Sequence, residues 1–258
     1  MASTRIDWSD AVWNPVTGCT PISEGCQRCY AKRMAARLHG RHGYPDGDPF
    51  SVTLRQERLD LPLKWRRPQR IFVNSMGDLF HESVPFEFIE RMFVCVEEEA
   101  SQHTYLILTK RPERMRDFIA WYAARCSDES VGLQWEPATN VWLGVSAETQ
   151  ERANERIPAL LDTPAAVRFV SLEPLLGPVD LRPWRGLDWV IVGAETGPGA
   201  RPFDPAWIRR IIDACRDAQV PMFLKANLRW SEEIQELPAG GPGPIRKGGG
   251  AGECTLTT

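Results

Sequence analysis

Histidine is scarce in this sequence and there is no excess of positive charge: 258 residues include four histidines, and the formal net charge is −3. Few histidines leave few candidate ligands for a zinc site built from cysteine and histidine. The net charge therefore gives no indication of binding to nucleic acid or to an anionic membrane. A local basic surface is still compatible with this net charge. No apolar run approaches the roughly 20 residues of a membrane span, so we expect no membrane partner.

The sequence also has no internal repeat and no long linker before residue 237. The first ten residues are polar and carry no apolar signal-peptide core, so we expect a cytoplasmic protein. The length suits one large α/β domain, and we predict a single domain over residues 1–237. The Gly- and Pro-rich segment 238–258 is predicted to be a flexible tail.

Short β-branched runs alternate with longer helical patterns, which is typical of a parallel sheet covered by helices. The predicted strands lie near residues 70–74, 105–108, 141–145, 167–171, 189–193 and 221–225. The predicted helices lie near residues 26–38, 86–100, 112–126, 149–161 and 205–219. About six strands suit a partial or complete (β/α) barrel, with a doubly wound open sheet as the alternative.

Polar or charged residues follow each predicted strand. Because active sites in such folds form at the carboxyl ends of the strands, we expect these residues to share one site. They include Asn74, Ser75, Asp78, Thr109, Lys110, Arg111, Ser146, Glu148, Ser171, Glu173, Glu195, Thr196, Lys225 and Asn227. One such residue alone is more often a helix cap or a solvated loop residue, but the repetition at every strand favours a shared site.

Three of the seven cysteines, Cys19, Cys26 and Cys29, fall within eleven residues in the spacing C-x6-C-x2-C. In a reducing compartment, clustered cysteines indicate metal binding rather than disulfides. Cys95 and Cys215 lie in apolar helical patterns, so we interpret them as buried structural thiols. We call residues 14–31 the cluster loop.

Three thiolates from one short loop suit a [4Fe–4S] cluster because each can bind a different iron. The fourth iron then has no protein thiolate, and S-adenosylmethionine (SAM) can chelate it. Two alternatives stay open. Structural zinc would take a fourth ligand from His39, His42 or His81, and the cysteines could also be unligated thiols.

The sequence resembles an uncharacterised phage and bacterial three-cysteine-motif family related to the radical SAM superfamily. The resemblance spans roughly residues 5–225. Its segments are Trp13-Asn14-Pro15-Val16-Thr17-Gly18-Cys19, Cys26-Gln27-Arg28-Cys29-Tyr30-Ala31, Asn74-Ser75-Met76-Gly77-Asp78-Leu79-Phe80-His81, Leu108-Thr109-Lys110-Arg111-Pro112-Glu113-Arg114-Met115, Trp142-Leu143-Gly144-Val145-Ser146, Ser171-Leu172-Glu173-Pro174-Leu175-Leu176 and Gly193-Ala194-Glu195-Thr196-Gly197-Pro198. Together they are specific for the family but not for one reaction.

The resemblance implies a partial (β/α)6 radical-SAM-like barrel with the cluster after its first strand and the active site at the C-terminal strand ends. It further implies SAM as cofactor, an external electron donor and reductive cleavage of SAM. Residues Asn74, Ser75 and Asp78 would contact the SAM amino group. The candidates for the ribose, carboxylate and adenine are Lys110, Ser146, Glu148, Glu173 and Glu195.

Two features of this sequence differ from the pattern of the proteins that it resembles. The superfamily spacing is commonly C-x3-C-x2-C, so this loop has three extra residues. Relatives tend to follow the last strand's lysine with Gln-Trp-Gly, whereas Lys225 is followed by Ala226-Asn227-Leu228. The first departure allows a different presentation of SAM, and the second indicates a divergent substrate.

The substrate stays open between a small molecule, a nucleotide or nucleic acid, and a peptide. The Cys-x-x-Cys-Tyr-Ala ending is similar to that of DNA photoproduct lyases, and some of the ten tryptophans are candidates for base stacking. Two basic groups are candidates for phosphate binding: Arg28, Lys32, Arg33, Arg37 and Arg41; and Lys64, Arg66, Arg67 and Arg70. A basic helix face is usually only solvated, and most tryptophans pack in cores.

Two further function classes compete with the radical enzyme. One is a non-catalytic zinc or iron–sulfur module in nucleic-acid metabolism, which has no need of the polar strand ends. The other is a hydrolase in which Glu148, Glu173 and Glu195 supply paired carboxylates, with His81 or His103 as a base.

Overall fold

The computed structural model describes residues 6–127, 130, 132 and 134–239. Nine short strands alternate with helices along this part of the chain. The strands are β1 (Ala11–Trp13), β2 (Val16–Thr17), β3 (Thr53–Leu54), β4 (Arg70–Val73), β5 (Thr104–Thr109), β6 (Val141–Ser146), β7 (Val167–Leu172), β8 (Trp189–Val192) and β9 (Met222–Leu224). The helices are α1 (Tyr30–Arg37), α2 (Phe86–Val94), α3 (Pro112–Cys126), α4 (Gln150–Leu161) and α5 (Pro205–Ala218).

Local sequence signals explain where several helices begin. The Thr149 side chain accepts a hydrogen bond from the Arg152 N–H and caps α4, and Asp204 caps α5 through the Ala206 N–H. Proline occupies the first turn of both α3 and α5, where its missing N–H costs nothing. α2 continues into a π-helical turn over Cys95–Glu99.

Seven strands form one sheet in the order β1-β4-β5-β6-β7-β8-β9, and every pair is parallel. After β1, the order follows the chain without reversal, so the sheet curls in one direction into a half-barrel. A doubly wound sheet would reverse its order at a switch point, and this sheet does not. The predicted partial barrel is confirmed, with seven strands rather than six.

The extra strand is β1, which pairs with β4 from Ala11↔Ile71 to Trp13↔Val73. Its three residues are too few to display a strand pattern in the sequence. β2 and β3 form a separate antiparallel pair in the segment between β1 and β4. The other predicted strands and helices are confirmed to within a few residues, except that the helix predicted near 26–38 begins only at Tyr30.

Alternation along the strands sends side chains to two cores. Ile71 and Val73 face the outer core under the helices. Phe72, between them, faces an inner core inside the half-barrel. This inner core is largely aromatic, and it comprises Trp8, Phe72, Leu106, Trp142, Val167, Phe169, Trp189, Ile191 and Phe223.

The N-terminal segment of the described chain packs across the open side of the half-barrel. The ring centroid of Trp8 lies 4.6 Å from that of Phe72 and 6.3 Å from that of Trp189. The Asp7 carboxylate accepts a hydrogen bond from the Ala226 N–H at 3.2 Å. These contacts connect the N-terminal segment to strands on both sides of the curl.

Residues 240–258, most of the predicted flexible tail, lie outside the described residues, and so does Cys254. None of the helices in the described part of the chain combines the length and apolar character that crossing a membrane requires. Cys95 and Cys215 are buried, as predicted.

Candidate functional site

A cavity of about 660 Å³ lies at the carboxyl ends of the strands. Cys19, Cys26 and Cys29 all line it, together with Ser146 at the end of β6 and residues that follow β4, β5, β7, β8 and β9. Phe50, Phe72 and Leu108 contribute apolar surface to the wall. The three cysteines and the polar strand ends therefore share one cavity.

The cluster loop is held against the barrel by its backbone. Gly18 has φ +88°, a conformation that favours glycine, and a Cβ there would meet the Ser51 carbonyl oxygen at 2.1 Å. Gly18 also bridges to Gly77 after β4, and the Cys19 N–H donates to the Phe50 carbonyl at 3.1 Å. This close approach of three backbone segments sets the position of the first cysteine.

Arg111 links Cys19 to the barrel. Its Nη1 lies 3.5 Å from the Cys19 sulfur and 3.2 Å from Asp78 Oδ2, and its Nη2 donates to Thr20. Burial, with the nearby Asp78 charge, raises the pKa of the Cys19 thiol to about 12 despite Arg111. Cys19 therefore holds its proton at neutral pH and would bind a metal only by releasing it.

Cys26 lies in a more cationic environment. Burial opposes its ionisation, but the Lys110 ammonium and hydrogen bonds at Ile22 and Ser23 outweigh burial and lower the pKa of the Cys26 thiol. The Ser23 hydroxyl is 3.5 Å from the Cys26 sulfur and 3.2 Å from Lys110 Nζ. Cys26 is thus the more readily ionised of these two thiols.

Asp78 holds the turn after β5 in place. Its carboxylate accepts hydrogen bonds from the Thr109 hydroxyl at 2.7 Å, the Lys110 N–H at 3.2 Å and the Phe80 N–H at 3.0 Å, besides pairing with Arg111. The residue is 5% exposed. With four donors on two oxygens, Asp78 positions Lys110 and Arg111 against the cysteines.

Glu148 joins the cluster loop to α4 from a fully buried position. It accepts hydrogen bonds from the Ser23 hydroxyl at 2.7 Å and from Arg156 Nη1 at 3.1 Å, and it forms an ion pair with Lys110. A Cβ on Gly25 would meet Glu148 Oε1 at 2.3 Å, so glycine there leaves room for the carboxylate. The buried carboxylate is neutralised by two cations.

The later strand ends each carry an ion pair at the cavity wall. Glu173 accepts a hydrogen bond from Lys225 Nζ at 2.5 Å. Glu195 accepts from the Arg201 Nε at 2.9 Å, and Arg28 of the cluster loop approaches it at 3.5 Å. The Arg201 guanidinium holds the pKa of Glu195 below its ordinary value, so Glu195 stays ionised.

Seven of the eight residues predicted to bind a cofactor line the cavity; Glu148 is not among the lining residues and lies buried in contact with Lys110. The seven are Asn74, Ser75, Asp78, Lys110, Ser146, Glu173 and Glu195. Sequence reasoning missed Ser23 and Arg201, which hold Lys110 and Glu195 respectively. Ser23 gains its role through a contact 87 residues away, whereas Arg201 lies six residues after Glu195, in a loop that has no periodic pattern.

The segment after β9, which departs from the expected Gln-Trp-Gly, contacts the loop after β8. The Asn227 side chain accepts a hydrogen bond from the Ala194 N–H at 3.1 Å and donates one to the Ala194 carbonyl at 3.0 Å. Lys225 and Asn227 both line the cavity. The asparagine therefore fixes the loop after β8 next to Glu195.

Ligand sets for a single metal ion are absent from the described part of the chain: no three His, Cys, Asp or Glu side chains converge on one position. His81, a candidate fourth zinc ligand, hydrogen-bonds the Thr20 hydroxyl at 2.9 Å through Nε2, and its Nδ1 accepts from the Ser83 N–H at 3.1 Å. An iron–sulfur cluster places a different demand on its ligands. Each cysteine binds a separate iron, so the three sulfurs would surround the cluster and would not converge on one position.

The two basic groups of the sequence lie at opposite ends of the barrel. Lys32, Arg37 and Arg41 are exposed on and just after α1, whose first residues, Tyr30 and Ala31, line the cavity. Arg66 and Arg67 instead precede the amino end of β4. Arg70 does not belong to a surface patch, because it is buried and paired with Asp10 at 3.3 Å.

The tryptophans do not form an exposed stacking platform. Trp8, Trp13, Trp142 and Trp189 are fully buried. The other six are partly buried and pack against the outer core: Trp65, Trp121, Trp135, Trp184, Trp207 and Trp230.

One family model matches residues 3–241 of the sequence, and its description is "Protein of unknown function (DUF5131)". No curated protein and no solved structure matches the sequence. The matched range includes the cluster loop and every strand that borders the cavity.

Proposed function

We propose that this chain, which belongs to the family of proteins of unknown function DUF5131, is a radical-SAM-like [4Fe–4S] enzyme. It would reductively cleave SAM and start radical chemistry on a small-molecule or nucleotide/nucleic-acid substrate. The observation that carries the proposal is the presence of Cys19, Cys26 and Cys29 on the wall of one cavity with the polar strand ends. The relation to the radical SAM superfamily is part of the proposal.

The donor set fits an iron–sulfur cluster with one open iron. Three cysteine sulfurs are soft ligands, each suited to a separate iron, and no fourth cysteine lines the cavity among the described residues. Lys110 and Arg111 place positive charge beside Cys26 and Cys19. These charges would stabilise the thiolates and offset the negative charge that a thiolate-bound cluster carries.

The cavity as a whole, including the space that a cluster would occupy, suits a cofactor of the size and polarity of SAM. Its volume of about 660 Å³ lies within the range of roughly 300–1,000 Å³ found for small-molecule sites. Asn74 and Ser75 after β4, Ser146 at the end of β6 and the Glu173–Lys225 pair offer donors and acceptors around it. When bound, the cluster would supply the electron that breaks a carbon–sulfur bond of the sulfonium, with an external donor restoring the electron.

The chain itself would orient the cofactor and exclude water. Asp78 and Glu148 act through their neighbours: Asp78 holds Arg111, and Glu148 holds Lys110. The apolar wall formed by Phe50, Phe72 and Leu108 limits access of water to a reactive radical. Glu195 is held ionised by Arg201, so it can accept hydrogen bonds but does not serve as an acid at neutral pH.

Anaerobic reconstitution with iron and sulfide tests the proposal. We expect a brown protein with iron and sulfide in equal amounts, and 5′-deoxyadenosine or 5′-methylthioadenosine after addition of SAM and a strong reductant. Cys26→Ser should lose most of its iron, because a thiolate ligand is removed. Cys126→Ser is the matched control, since Cys126 is also partly exposed but ends α3 away from the lining residues.

The outcomes separate the candidate functions. A colourless protein with stoichiometric zinc would contradict the proposal and favour a structural zinc module. A stable cluster with no SAM cleavage would favour a non-catalytic iron–sulfur module. Full retention of iron in Cys26→Ser would remove this residue from the ligand set.

A further inference from the structure

Apolar side chains are exposed on the cluster loop and α1, beside the mouth of the cavity. Four large apolar side chains in the described part of the chain are more than two-fifths exposed, and three of them lie here: Ile22 at 41%, Tyr30 at 48% and Met34 at 42%. Ile22 and Tyr30 also line the cavity. We call these three residues the mouth strip.

Positive charge continues outward from the mouth strip. Lys32, Arg37 and Arg41 are exposed, and none of them forms an ion pair with a residue that the structure describes. Residues 28–45 contain no acidic residue, in a chain whose net charge is −3. We call Lys32, Arg37 and Arg41 the basic set. These three cations form no ion pair among the described residues, and the Asp46 carboxylate lies beside Gly40, one residue before Arg41.

Helical spacing places the exposed apolar residues of α1 on one face with Arg37, whereas Lys32 lies on a different side of the helix and Arg41 lies beyond its end. Tyr30, Met34 and Arg37 are separated by four and three residues, so they lie along the same side of α1. Ala31 and Ala35 are buried and pack the helix on the protein. At 1.5 Å per residue the eight residues of α1 extend for about 12 Å away from the cavity.

We propose that the substrate of this site is single-stranded nucleic acid, with its phosphates on the basic set, its bases against the mouth strip and one nucleotide in the cavity. This inference rests on the proposed function for its chemistry, whereas the binding surface needs no bound cluster. An exposed aromatic ring and a polarisable Met beside unpaired cations provide the base contacts and charge that sequence-tolerant single-strand binding uses.

Other anionic partners fit the surface less well. A duplex keeps its bases stacked inside, so it presents none to the mouth strip or to the cavity unless a base is extruded. A membrane-surface helix needs a broad apolar face, and α1 exposes only Tyr30 and Met34 among its large apolar residues. A mononucleotide would not extend along the basic set.

The charge contacts are tested by measuring the affinity for labelled fifteen-nucleotide oligo-dT and oligo-U by fluorescence anisotropy at several salt concentrations. Lys32→Gln/Arg37→Gln/Arg41→Gln should reduce the slope of log affinity against log salt by about 2, because each single-strand phosphate contact contributes about 0.7. The matched control, Lys64→Gln/Arg66→Gln/Arg67→Gln, removes the same charge at the amino ends of the strands and should leave the slope unchanged. Equal losses in both triple variants would overturn the proposal.

A second pair of variants tests the base contacts. Tyr30→Ala/Met34→Ser should weaken oligonucleotide binding about tenfold, at constant salt slope, because stacking surface is lost. Leu63→Ser removes the fourth exposed apolar side chain, 43% exposed and away from the cavity, and should bind as the unmodified protein does. Unchanged affinity in the double variant would contradict a stacking role.

The same preparations separate this inference from the proposed function. SAM cleavage without oligonucleotide binding would overturn the substrate class and leave the radical enzyme in place. Oligonucleotide binding with no cluster and no SAM cleavage would support the surface and overturn the proposed chemistry. Binding to vesicles of phosphatidylglycerol and phosphatidylcholine, but to neither oligonucleotide, would identify a membrane surface and contradict the proposal.

Discussion

Three glutamates that follow successive strands of the barrel have different partners. Glu148 is fully buried between Lys110 and Arg156, whereas Glu173 and Glu195 pair with basic residues at the cavity wall. A glycosidase-type mechanism needs one carboxyl with a raised pKa as general acid. The pKa of Glu195 is instead lowered by Arg201. These pairings favour structural and binding roles for the three acids over a hydrolase.

At the scale of the residue, Glu148→Gln tests whether the buried carboxylate holds the cluster loop. The amide keeps the shape but leaves Lys110 and Arg156 without their shared counter-charge. Removing one partner of a buried pair typically costs about 3–5 kcal/mol, so we expect a loss of that order in the free energy of unfolding measured with urea.

Glu151→Gln is the control for this change. Glu151 is 79% exposed and pairs with Arg152 only at 3.9 Å, so its loss should alter the free energy of unfolding by less than about 1 kcal/mol. If both variants unfold at the same urea concentration, Glu148 does not hold the loop through its charge.

At the scale of the element, alternation along each strand determines which residues reach the cavity. Phe72 faces the inner core, and Asn74, two residues later, lines the cavity. The same step leads from Phe169 to Ser171 and from Phe223 to Lys225. Inward-facing positions are therefore apolar along most of each strand and polar at its carboxyl end.

A glycine on β6 makes room for the inner core. A Cβ at Gly144 would lie about 2.5 Å from ring atoms of Phe169, which is fully buried on β7. Gly144→Ala should therefore lower the free energy of unfolding by about 1–3 kcal/mol, the usual cost of overpacking, as measured by urea denaturation.

The matched control is Gly47→Ala, because a Cβ at that position meets nothing within 4 Å. Phe169→Leu in the Gly144→Ala background should recover part of the loss, since the smaller side chain relieves the contact. A stability of Gly144→Ala equal to that of the control would mean that the inner core tolerates the methyl group.

At the scale of the whole molecule, the half-barrel depends on the N-terminal segment to cover its inner core. Trp8 is 2% exposed and packs against Phe72 on β4 and Trp189 on β8. The inner core would otherwise be open to water on the side where the sheet does not close.

Trp8→Ala should lower the free energy of unfolding by about 3–5 kcal/mol, the range for large buried aromatics, in urea denaturation followed by circular dichroism. Trp8→Phe should cost less because most of the contact area remains. A cost below about 1 kcal/mol for the alanine variant would show that the segment is not needed to close the half-barrel.

Strong periodic patterns made most of the fold predictable from sequence. α3 and α5 begin at Pro112 and Pro205 as predicted, because proline in a first turn and apolar spacing are local signals. β1, β2 and β3 were not predicted. They have two or three residues each, and their existence depends on pairing partners far along the chain.

The sequence by itself determined the cysteine spacing, the alternation of strands and helices, and the polar residues at the strand ends, because these depend on neighbours within a few residues. Only the tertiary structure decided that Ser23 contacts Lys110 and Glu148, 87 and 125 residues away. It also decided that Glu148 is buried and that the two basic groups lie at opposite ends. The physical reason is that burial and charge pairing arise when distant strands become neighbours in the sheet.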